Sequence, residues 1–176
     1  MKIQLTTLAL CMTLGAAPFV SADEMAHSQG LMISDAWSRV TTPAARVGGG
    51  YLTITNHGEM TDTLLGVSAE HAGKTEVHSM KMADDVMIMR PVDEPLVIDA
   101  GASVQLAPGG LHLMFMQLEA PHVVGEPFNA TLRFEHAGDV EVRFEVLSMR
   151  ESMERQAETG HDMHGSDDKA AEWGTQ

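Results

Sequence analysis

From Leu31 to Leu147 the chain never sustains an apolar stripe at helical spacing; it runs in short alternating segments cut by turn residues. Tyr51-Leu52-Thr53-Ile54-Thr55 alternates and stops at Asn56-His57-Gly58, a turn sequence. Leu31–Trp37, Thr63–Ser68, Thr75–Met80, Val86–Met89, Leu96–Ile98 and Val104–Leu106 read as further strands, as do Leu111–Leu118, Phe128–Phe134 and Val140–Leu147. Pro108-Gly109-Gly110 and His136-Ala137-Gly138-Asp139 separate the later ones. The stretch before Tyr51, rich in Pro, Ala and Gly through Gly50, reads as a connection. Eight to ten short strands spaced this way predict an all-β fold, a sandwich or barrel with Greek-key connections.

The two ends are different in kind. Lys2, the apolar run Ile3–Leu14 and the small residues around Ala22 form the pattern of a secretory signal peptide over residues 1–22. The run is too short for the roughly 20 residues of a spanning helix, so no membrane span is expected in the mature chain. Leu10 is too bulky to precede a lipidated cysteine, which argues against lipidation at Cys11. Residues 23–150 then form one domain, and residues 151–176 are expected to be a flexible polar tail carrying His and Met.

Export has a chemical consequence. Cys11 is the only cysteine, and cleavage removes it. Thiol redox catalysis and a blue-copper centre, which needs a Cys thiolate, are both excluded for the mature chain. Removal of Lys2 takes the formal charge from −14 to −15, and a chain this acidic repels phosphate backbones, so no nucleic acid partner is expected.

Methionine, 14 residues in all, and the nine histidines cluster in a telling way. Three segments concentrate them: Val77-His78-Ser79-Met80-Lys81-Met82, Val86-Met87-Ile88-Met89-Arg90-Pro91, and Gly109-Gly110-Leu111-His112-Leu113-Met114-Phe115-Met116. Residues i and i+2 of a strand share a face, so His112 pairs with Met114 and His78 with Met80. Imidazole beside neutral thioether selects Cu(I) over harder cations. Methionine is ordinarily a core filler. On that ground Met87 and Met116 are expected in the core, while Met80 and Met82 stand evenly between core and ligand. His57, His71, His122 and His136 sit at turns and are expected to be solvated. No glycine elbow surrounds Ser79, and the pairs Asp84-Asp85 and Asp93-Glu94 are turn-like, so no enzyme is expected.

At these segments the sequence resembles the periplasmic copper chaperone family PCu(A)C, from about Ile33 to Leu147. The resemblance rests on Asp35-Ala36-Trp37-Ser38-Arg39, Pro43, Tyr51 to Gly58, Met89-Arg90-Pro91-Val92 and Pro108-Gly109-Gly110-Leu111-His112-Leu113-Met114. It rests above all on a spaced motif: a His, ten residues, a Met, about twenty-one residues, then His-x-Met. Ten residues separate His78 from Met89, and 22 separate Met89 from His112, one more than the family spacing. The extra residue is placed near Pro95, in a turn where insertion costs little.

The resemblance implies a cupredoxin-like Greek-key sandwich or barrel with His78, Met89, His112 and Met114 as Cu(I) ligands. It also implies delivery of copper to the CuA centre of cytochrome c oxidase, either to that subunit or through another periplasmic copper chaperone. Buffering or resistance, with no dedicated oxidase partner, is the alternative. Met80 is a secondary ligand candidate. So are His161, Met163 and His164 of the tail, where imidazoles could capture Cu(II).

Overall fold

Every second residue of Val47–Asn56 is buried, as is every second residue of Asp139–Leu147. That alternation is what a strand with one face on a core produces. The computed structural model describes residues 26–28, 30–83 and 86–161. Its strands are β1 (Ala26–Ser28), β2 (Leu31–Arg39), β3 (Val47–Asn56), β4 (Asp62–Ser68), β5 (Ala72–Ala83), β6 (Val86–Pro91), β7 (Leu96–Ile98), β8 (Ser103–Leu106), β9 (Leu111–Leu118), β10 (Phe128–Phe134) and β11 (Asp139–Leu147), followed by helix α1 (Met149–His161).

The strands pair in the order β6-β5-β9-β3-β2-β11-β10-β4-β7, with β1 beside β2 and β8 beside β3. Neighbours are antiparallel except β2 and β11, which run parallel. Leu52, Ile54, Leu113 and Phe115 from one half of this path share a single core with Leu64, Leu132, Val142 and Phe144 from the other. The sheet therefore folds over on itself, and the all-β expectation holds.

The glycine run is strand, not connection: β3 begins at Val47. A Cβ on Gly50 would lie 2.5 Å from the Phe115 ring, and one on Gly48 would lie 2.6 Å from Cε1 of His122. Both distances are below any real Cβ contact, so these glycines exist to admit rings from neighbouring segments. Asp62 is buried and accepts hydrogen bonds from the backbone N–H groups of Thr63, His136 and Ala137. Burial works against its charge, but these three donors prevail and hold the carboxyl below its ordinary range. They pin the turn between β10 and β11 to the start of β4.

The polar tail from residue 151, in which no core residue was expected, begins inside α1. Ser148 and Glu151 form a reciprocal cap: Ser148 N–H donates to Oε2 of Glu151 at 2.9 Å, and Glu151 N–H donates to the Ser148 hydroxyl at 3.3 Å. Ser152 is fully buried, and its Oγ accepts from Nε of Arg39 at 3.1 Å, fastening the helix to the end of β2. The expected signal peptide, Met163 and His164 lie outside the described residues, and His161 is the last residue of α1. No helix among the described residues is long and apolar enough to cross a membrane.

Candidate metal centre

β5 and β9 are antiparallel, and their register sets His78 directly opposite His112. Glu76 opposes Met114 in the same ladder, and Met80 opposes Met89 in the β5–β6 ladder. Directly opposed residues share a face. The motif residues on three strands therefore converge on one side of one sheet, with Met114 and Met89 on the two diagonals from His78. The imidazole centroids are 6.0 Å apart. His112 is buried, His78 and Met114 are half-buried, and Met89 is exposed.

The hydrogen bonds decide what each ring can offer. Nδ1 of His112 lies 3.1 Å from the Gly110 carbonyl, which can only accept, so this nitrogen carries the proton. Nε2 of His78 lies 3.1 Å from Oε2 of Glu76 and donates to that carboxylate. The Glu76 carboxylate is itself held below the ordinary range, first by its hydrogen bond to Lys74 and then by that from His78. The remaining nitrogens, Nδ1 of His78 and Nε2 of His112, thus present lone pairs. Both are buried without a hydrogen-bond partner. An unsatisfied buried acceptor is costly, and two on facing rings fit a cation in want of neutral nitrogen donors. Among the described residues no three His, Cys, Asp or Glu side chains converge as a metal-holding group. The residues that flank the two rings in register on this face are Met80, Met89 and Met114, with Glu76 beside Met114.

Several sequence expectations are corrected by this geometry. Met87 is not core; it stands on the edge strand β6, 47% exposed, because that strand has a neighbour on one side only. His122 is not a solvated turn residue but is 3% exposed, and His71 is half-buried. Ser38 donates to the Gly49 carbonyl at 2.7 Å, so its oxygen receives Nδ1–H of His122, also at 2.7 Å. Nε2 of His122 is left to accept from Nε2 of His71 at 3.1 Å. Burial first, and the neighbouring His71 second, lower the pKa of His122 to about 4. The space vacated at Gly48 is the reason that a turn residue can be buried here.

A family model described as "Putative lipoprotein LpqE-like" matches residues 31–146. "Putative lipoprotein Lxx21020" of Leifsonia xyli subsp. xyli is 29% identical over 108 residues, 61% of this chain and 64% of that relative. The match thus spans less than two thirds of the curated relative. Among solved structures, the copper-bound PCuAC domain from PmoF2 superposes with a TM-score of 0.61 at 22% identity, over 71% of this chain and 98% of the domain. The apo PCuAC domain from PmoF1 gives 0.61 at 22%, over 71% and 99%. The CuI form of DR1885 from Deinococcus radiodurans gives 0.50 at 26%, over 72% and 82%.

Proposed function

The chain belongs to the LpqE-like family, and on that premise we propose that it is a periplasmic metallochaperone that binds one Cu(I) and passes it on by ligand exchange. The observation that carries this reading is the pair of buried, unpartnered lone pairs on His78 and His112, opposed across two strands. Two neutral imidazoles and the thioethers of Met89 and Met114 form a soft, uncharged shell suited to a d¹⁰ ion. Two solved relatives of the same fold are described as copper-bound, one of them as its Cu(I) form.

The gradation of burial suits transfer. Met89 is exposed at 46% and His112 at 3%, so a recipient can displace the outer donor while the inner ring still holds the ion. The CuA centre of cytochrome c oxidase is the recipient we propose, and the signal-peptide pattern of residues 1–22 supplies the route to the periplasm. Capture of Cu(II) by His161 and His164 would be a separate, weaker function of the tail.

Anaerobic titration of Cu(I) against a competing chelator, followed by X-ray absorption, tests the reading. One tight equivalent with mixed nitrogen and sulfur donors is expected; no tight equivalent, or a shell without sulfur, overturns it. Glu76 acts through His78 by receiving its Nε2 proton. Glu76→Gln should therefore weaken Cu(I) binding about tenfold, the usual effect of losing an outer partner of a ligating histidine, while leaving the metal-free melting curve in place.

A further inference from the structure

Beyond the imidazole pair, the same sheet face continues outward along the β5–β6 hairpin as a row of thioethers. Met80 sits directly opposite Met89, and position 82 sits opposite Met87. Met87 and Met89 are two apart on one strand and so share a face, with Met80 across from them. Every residue of β6 except Ile88 is exposed. Met87 and Met89 therefore have no packing reason to be methionine, and an unbranched thioether in water is an accessible soft donor. The grooves along the hairpin are lined by residues such as Thr75, Val77, Ser79, Lys81, Ile88 and Arg90 and by none of these three methionines.

We propose that Met80, Met87 and Met89 form a second, weaker site for a soft monovalent cation, through which Cu(I) enters and leaves the imidazole pair. The route rests on the Cu(I) reading above; the three-thioether site itself does not. Met89 is common to both sites, so the ion moves by forming one thioether bond as one imidazole bond breaks, with no change of oxidation state. The outer site holds no ionisable donor, so filling it releases no proton.

The test uses the exported chain and Ag(I), a redox-inert stand-in for Cu(I), with methionine-methyl and histidine-ring NMR as readouts. The first equivalent should shift the His78 and His112 rings, and the second the methyls of Met80 and Met87. In His78→Ala/His112→Ala the first equivalent should shift Met80, Met87 and Met89 at both neutral and mildly acidic pH. Met80→Leu/Met87→Leu should lose the second equivalent and keep the first. Ring shifts without movement of the Met80 and Met87 methyls, or a second equivalent that survives the Met80→Leu/Met87→Leu pair, would overturn the outer site alone. Methyl shifts with motionless rings would support the outer site and sink the imidazole reading.

Discussion

His112→Ala is expected to lower Cu(I) affinity by roughly a hundredfold or more, about 3 kcal/mol, with little change in the melting temperature of the metal-free protein. The two effects separate for a physical reason. Nε2 of His112 is a buried acceptor with no partner, so the ring contributes packing to the apo protein but also carries an unmet desolvation cost. Deleting it removes both, and they oppose one another. In the proposed site the same nitrogen is a donor, and its loss would leave the ion one imidazole short. Met114→Leu is the sharper companion, since it keeps nearly the same volume and should cost less than about 1.5 kcal/mol of stability. Its affinity loss should be about tenfold, or ~1.4 kcal/mol, smaller than for His112 because a thioether is the weaker donor. His136→Ala serves as the control, being exposed and bonded to Asp62 rather than placed on the metal face. Chelator competition and apo melting curves on the three variants check the ranking. Unchanged affinity in His112→Ala would move the site elsewhere.

That His112 and Met114 share a face was readable in the sequence, because strand periodicity is two and His-x-Met places both side chains on one side. The opposition of His78 and His112 was not readable. It depends on the register between β5 and β9, which many contacts across the sheet set together. The same alternation turns Leu113 and Phe115 to the opposite face of β9, where both are fully buried. Methionine misled on β6, since its apolar character says core, while only topology says that β6 is an edge. Helix α1 does carry a sequence signal: Ser148-Met149-Arg150-Glu151 is a capping-box sequence, and both of its hydrogen bonds form. The burial of His122 had none. It requires the absent side chain of Gly48 and the hydroxyl of Ser38, one on each of two neighbouring strands remote in sequence from residue 122. Glu76 was missed for a similar reason, because its role appears only once His78 is seen to turn Nε2 toward it.

That buried histidine is expected to weaken the fold in acid. The pKa of His122 falls from the ordinary 6.5 to about 4 in the folded chain, chiefly through burial and then through His71. Between those values the unfolded chain binds a proton that the folded chain refuses, so stability falls as the pH drops through this window. The slope for one such group is about 1.4 kcal/mol per pH unit, giving a loss of about 3 kcal/mol by pH 4. His71, also lowered by burial although Glu119 opposes the shift, acts in the same direction and by less, since it is partly open to solvent. Asp62 belongs to a different window: its carboxyl lies below the ordinary range, so its contribution is lost only at more acid pH. Urea unfolding of the metal-free protein at intervals from neutral pH to about pH 4.5 should show the slope. His122→Phe should flatten it by one group's share, because phenylalanine can occupy the place between Phe115 and Phe128 without titrating. Ser38 would keep its bond to the Gly49 carbonyl in that variant, so β2 and β3 stay joined. Identical slopes in the two proteins would mean that His122 takes up its proton inside the fold, and that the Ser38–His122–His71 chain does not govern acid stability.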